Sequence, residues 1–126
     1  MHFVLDQNFP IQATGLAWPP GLTLTALKDI DPELTRDHED WEVFRALARR
    51  GDIDGFITND ADLLHLPREM VMLQHTNLTL VVVDGLGGDP LGATGLLMVH
   101  LPQIAKQSHP KPNIYILKRS PLTLTK

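Results

Sequence analysis

The chain has 126 residues, 43% of them hydrophobic and 21% charged, with six histidines and a formal net charge of −4. That length supports one sizeable core and a single domain over residues 1–126. The absence of cysteine excludes a disulfide framework and a thiolate metal site, and no apolar run approaches the ~18 residues of a membrane span.

The N-terminus lacks the basic-then-apolar pattern of a signal peptide, so a cytoplasmic protein with no membrane partner is expected. Charge is unevenly spread: Asp29 to Asp62 holds eleven acids against four arginines, whereas Lys106 to Lys126 holds five bases and no acid. An acidic middle with a basic tail suits a metal site flanked by a phosphate-contacting surface, and equally two solvated faces of opposite sign.

The apolar run Phe3-Val4-Leu5 stops at Asp6, which predicts a first strand over residues 2 to 5. Pro10 suits the first turn of a helix over Ile11 to Leu16, with Asn8 as its cap. Trp18-Pro19-Pro20-Gly21 breaks the chain, and Leu22 to Leu27 alternates apolar residues with Thr, the pattern of a second strand. Lys28 to Arg36 reads as a polar loop. Asp37 is expected to cap a helix that runs to about Arg50 and stops at Gly51. Trp41, Phe44, Leu47 and Ala48 supply its core stripe, and Asp40, four residues before Phe44, continues that stripe. Asp37, Glu39 and Glu42 compete with Asp40 as plain partners of the helix dipole.

Ile53, Phe56 and Ile57 predict a third strand that ends in Thr58-Asn59-Asp60-Ala61-Asp62. Thr58, Asn59 and Asp60 are good caps for a following helix that turns Leu63, Leu64 and Leu66 inward. Pro67 to His75 reads as a short helix or turn carrying Met70, Val71 and Leu73. Leu78 to Val83 is the clearest strand, apolar enough to be buried on both faces. Asp84 ends it, although Gly85 makes a plain turn the simpler reading there. The glycine-rich Leu86 to Gly95 lacks the Lys-Ser/Thr pair of a phosphate-binding loop. Leu96 to Lys106 is expected as the last helix, its second half less strongly signalled because of Pro102, and Asn113 to Leu117 as a fifth strand ending at Lys118 before a loose tail.

Strands alternating with helices predict a three-layer α/β/α fold on a parallel sheet of about five strands. Every strand then points its carboxyl end to one edge, so Asp6, Asp60 and Asp62 gather there beside the helix start that bears Asp40. Crowded carboxylates repel one another, and a divalent cation removes the conflict. Oxygen-only donors favour Mg²⁺ or Mn²⁺ over Zn²⁺. Each acid also has a plain structural role open to it: Asp6 can end a strand, Asp60 can cap a helix and Asp62 can complement a helix dipole. Exposed apolar residues near Trp18 or Leu96 are candidates for a homodimer face.

Val4-Leu5-Asp6-Gln7-Asn8-Phe9-Pro10, Asp40 opening an apolar-striped helix, and Ile57-Thr58-Asn59-Asp60-Ala61-Asp62 together resemble a PIN-like domain. The closest likeness is to the small stand-alone group that begins with a Leu-Asp-Glu-Asn-Leu-Pro pattern, and it covers residues 2 to 85. The resemblance implies a metal-dependent ribonuclease acting on RNA, the toxin of a toxin–antitoxin pair with a small antitoxin protein as partner. Carried over by position, it implies Asp6, Asp40, Asp60 and Asp62 as the catalytic, metal-binding set, with Asn8 and Thr58 as supporting polar residues. Lys118 and Arg119, in the basic tail, are the expected RNA contacts. Two further readings stay open. One is a receiver-like Mg²⁺-binding module in which Asp60 accepts a phosphoryl group and Lys118 ends the fifth strand; the other is a non-catalytic PIN-like scaffold for RNA or protein.

Overall fold

The computed structural model describes residues 1–107 and 113–119. Five strands, β1 His2–Leu5, β2 Thr23–Ala26, β3 Gly55–Thr58, β4 Thr79–Asp84 and β5 Ile114–Lys118, form one sheet in the order β2-β1-β3-β4-β5. All neighbouring pairs are parallel. The helices are α1 Leu27–Ile30, α2 Asp40–Arg50, α3 Pro67–Gln74 and α4 Pro90–Lys106, joined by three 3-10 turns at Ile11–Gly15, Pro32–Thr35 and Ala61–His65.

Alternation along the strands divides the core between the two faces of the sheet. Phe3, Leu5, Ile57, Val81 and Val83 pack against Ala93, Leu97 and Leu101 of α4. Val4, Phe56, Leu80 and Val82 pack against Phe44 and Leu47 of α2 and Leu73 of α3. Phe44 meets Phe56 edge to face with ring centroids 5.6 Å apart, a favoured aromatic geometry. The architecture is therefore the expected three-layer α/β/α fold. A Cβ at Gly55 would lie 2.5 Å from the Phe3 ring and 2.7 Å from the Thr79 carbonyl, so this strand start requires glycine.

Several local expectations are corrected. The segment after Pro10 is a 3-10 turn without a side-chain cap, and Asn8 reaches across to the loop after β3 instead. Leu27 leaves β2 to begin α1, and Asp31 caps a second short turn, so the polar connection has structure of its own. The cap of α2 is Glu39, which exchanges hydrogen bonds with Glu42 in a capping box, while Asp37 stands outside the helix at φ 37°. Gly51 ends α2 in the left-handed region at φ 77°, as expected. Val43 joins Phe44 and Leu47 in the buried stripe, while Trp41 is only half-buried.

The last helix starts earlier than expected, at Pro90, because Asp89 accepts a hydrogen bond from the Gly92 amide and Pro90 is preorganised for the first turn. Trp18 packs half-buried against the core with its indole N–H on the Ala13 carbonyl, and Leu96 is likewise half-buried. The exposed apolar residues beside Leu96 are Met98 and Val99. The tail beyond Arg119, expected to be loose, lies outside the described residues. Among those residues no helix is long and apolar enough to cross a membrane.

Candidate functional site

The strand order places the switch point of the sheet between β1 and β3, because the chain leaves β1 for β2 on one side and returns to β3 on the other. In open parallel sheets, ligands bind in the crevice at the carboxyl ends of those two strands. Asp6 follows β1 and Asp60 follows β3 by two residues, so both stand at that crevice.

Local hydrogen bonding joins the two strand ends. The Asp6 amide still donates to the Ile57 carbonyl at 2.8 Å, which carries the β1–β3 ladder one residue further. The fully buried Thr58 hydroxyl donates to Asp6 Oδ2 at 2.8 Å and accepts from the Asp60 amide at 3.0 Å. Thr58 therefore holds both acids through one oxygen. Asp6 Oδ1 accepts from the Gln7 amide, and Asp60 Oδ1 accepts from the Asp62 amide as the cap of the 3-10 turn. Asn8 pins the two loops together: its carbonyl accepts from Asn59 Nδ2 at 3.3 Å, and its side-chain oxygen lies 3.5 Å from the Asn59 amide.

Asp40, the first residue of α2, completes this cluster from the helix layer. Burial, followed by the charges of Asp6, Asp60 and Glu69, pushes its carboxyl up to about 6. Burial also raises Asp6, opposed by the Thr58 and Gln7 hydrogen bonds and reinforced by Asp60. Carboxylates far apart in sequence thus meet closely enough to disfavour one another's ionisation.

Glu69, on α3, is a member that the sequence reading did not nominate. It is 7% exposed, and its Oε2 has no hydrogen-bond partner. Asn59 Oδ1 is a second buried acceptor without a partner. Asp62 stands apart from the groups whose charge acts on Asp6 and Asp40; its side chain is exposed and its amide serves the Asp60 cap. Lys118 lies 3.6 Å from Asp84 and Arg119 lies 2.7 Å from Asp89, so both expected RNA contacts are ion-paired on the surface at the same sheet edge. His38 pairs with Glu42 at 2.9 Å, and that hydrogen bond holds the Glu42 carboxyl below its usual range.

Among the described residues no three His, Asp or Glu side chains converge into a ready-made metal cage. The donor set still suits Mg²⁺ or Mn²⁺, which take oxygen ligands; Mg²⁺ in particular keeps several waters and commonly uses one or two carboxylates plus a substrate phosphate. Unpartnered buried oxygens and mutually repelling carboxylates are the features that such an ion would satisfy. Beside Asp6, Phe9, Ile11 and Leu27 wall an apolar pocket of about 240 Å³ that Lys28 and Thr35 also line.

These features define an all-parallel α/β protein with an acidic cluster at the switch point of its sheet. Compared with models of protein families, with curated proteins and with solved structures, the chain matches none.

Proposed function

We propose that this protein is a Mg²⁺- or Mn²⁺-dependent ribonuclease of PIN-like type that hydrolyses RNA phosphodiester bonds, and that it acts in the cytoplasm as the toxin of a toxin–antitoxin pair. The observation that carries this reading is the meeting of Asp6, Asp40 and Asp60 at the β1–β3 crevice, with the Asp40 carboxyl pushed up to about 6. When bound, the divalent ion supplies stabilisation of negative charge on the phosphoryl oxygens and a more acidic water.

The rest is the work of the chain. Thr58 orients Asp6 and fixes the backbone of Asp60, so that neither strand end must reorganise on binding. Asp40, brought in by α2, lies close enough to both for their charges to act on its carboxyl. Lys28 and the apolar wall beside Asp6 offer one cation and one apolar surface next to the crevice. A small antitoxin protein would bind over this crevice, and the exposed Met98 and Val99 offer a homodimer face.

Cleavage of a panel of structured and single-stranded RNAs should require Mn²⁺ and should be abolished in Asp6→Asn and in Asp60→Asn, with the fold intact by circular dichroism. Retained cleavage in both variants would overturn the assignment. The receiver-like reading is less favoured because Asp6 is followed by Gln7, where a receiver-like module would carry a second acid. Phosphorylation by a small phosphodonor would restore it, and metal binding without cleavage would favour the scaffold reading.

A further inference from the structure

Glu69 has no evident structural reason to be where it is. A carboxylate is rarely buried without a partner, because removal from water is repaid only by hydrogen bonds, a counter-charge or a metal. Its Oε2 has no hydrogen-bond partner, and Arg68, the guanidinium next to it in sequence, is turned to Glu39 at 2.8 Å. Glu69 and Asp40 line the same cleft of about 460 Å³, where α3 meets α2. An apolar side chain would fill the Glu69 position at no electrostatic cost, so the carboxylate points to a ligand that needs it.

We propose that Glu69 is a cation ligand, which together with Asp40 forms a divalent-cation position bridging α2 and α3, next to the crevice of Asp6 and Asp60. The ligand class is a hard, oxygen-seeking ion, Mg²⁺ or Mn²⁺, with water completing its shell. The inference rests on the metal dependence proposed above for the neighbouring β1–β3 crevice, and adds to it a residue from an element outside the resembling motifs. It also gives cation binding a mechanical consequence. A cation held by one carboxylate from each helix ties α3 to α2, so binding should protect α3 amides from hydrogen exchange and raise the melting temperature.

The test is Mn²⁺ titration of the full chain by calorimetry, with thermal melts and hydrogen exchange, on wild type, Glu69→Gln, Glu69→Met, Asp6→Asn and Asp62→Asn. Both Glu69 variants should melt at or above the metal-free wild type, which shows that they fold. They should weaken Mn²⁺ binding about tenfold or more, by analogy with the cost of losing a metal site's supporting groups. They should also lose the Mn²⁺-induced protection of α3, while Asp62→Asn retains both. Mn²⁺ binding and α3 protection unchanged in the Glu69 variants but lost in Asp6→Asn would overturn the Glu69 assignment and leave the ribonuclease reading standing. Glu69-dependent binding in a protein that cuts no RNA would do the reverse. No Mn²⁺ binding by wild type would overturn both.

Discussion

Thr58 is the residue on which the crevice depends most directly. Its hydroxyl, on a fully buried side chain, is the common partner of the half-buried Asp6 and the Asp60 amide. Thr58→Val keeps the shape and strand propensity but takes this partner from the Asp60 amide and from Asp6 Oδ2, so chemical denaturation should show a loss of about 1–3 kcal/mol. Thr58→Ser should recover most of it. Asp40 makes a prediction about pH. Its folded-state value of about 6 lies above the ordinary 3.8, so between these the native state holds a proton that the unfolded chain has released. Its contribution to stability therefore falls as pH rises through that window and levels off above it. Asp40→Asn removes the penalty, and without divalent metal its gain in melting temperature should be larger near pH 7.5 than near pH 4. An equal gain at both would mean that Asp40 is not pressed by its neighbours.

At the scale of elements, α2 brings Asp40 to the crevice through its capping box. Glu39 accepts from its own helix, from the Trp41 indole at 2.6 Å and from Arg68 of α3 at 2.8 Å. Glu39→Ala should cost about 1 kcal/mol in denaturant unfolding, the usual value of a lost cap. It should also release Arg68, a change readable by side-chain NMR. β3 is bounded as tightly at its other end: Gly55→Ala forces a methyl into the Phe3 ring and the Thr79 carbonyl, and overpacking of this kind destabilises by about 1–3 kcal/mol. The α2 stripe and Gly51 were legible because a 3.6-residue period and a positive-φ stop are local properties. The start of α4 was readable too, since Asp89-Pro90 is a cap followed by a preorganised first turn, but the glycines after it drew the boundary late. Glu69 was missed although the reasoning that selected Asp40 applies to it unchanged: it lies four residues before buried Leu73, as Asp40 lies four before Phe44.

For the whole molecule, the strand order determines which acids meet. The β1–β3 switch point gathers Asp6 and Asp60, and the helix layer on one face adds Asp40 and Glu69. Asp84 and Lys118 end strands at the same edge but lie on β4 and β5, away from the switch point, and pair with each other. Exposed ion pairs exchange partners readily, being worth about 0–1 kcal/mol, so Lys118 and Arg119 remain able to meet a phosphate. Lys118→Ala with Arg119→Ala should weaken RNA binding and lower its salt slope by about 1 per residue, measured by fluorescence anisotropy. An unchanged slope would clear both of that role.

The sequence by itself determined the fold class, the number of parallel strands, the aspartates at the strand ends and the helix that carries Asp40, because periodicity, caps and breakers act over a few residues. It could not decide which strand lies beside which. Only the tertiary structure did so, by pairing β1 with β3 and packing α3 against α2, and that pairing admits Glu69 to the acidic group and leaves Asp62 outside it. Repulsion between charges weakens with distance and is screened beyond ~8–10 Å, so membership of the cluster is a property of distance in space that no spacing along the chain encodes.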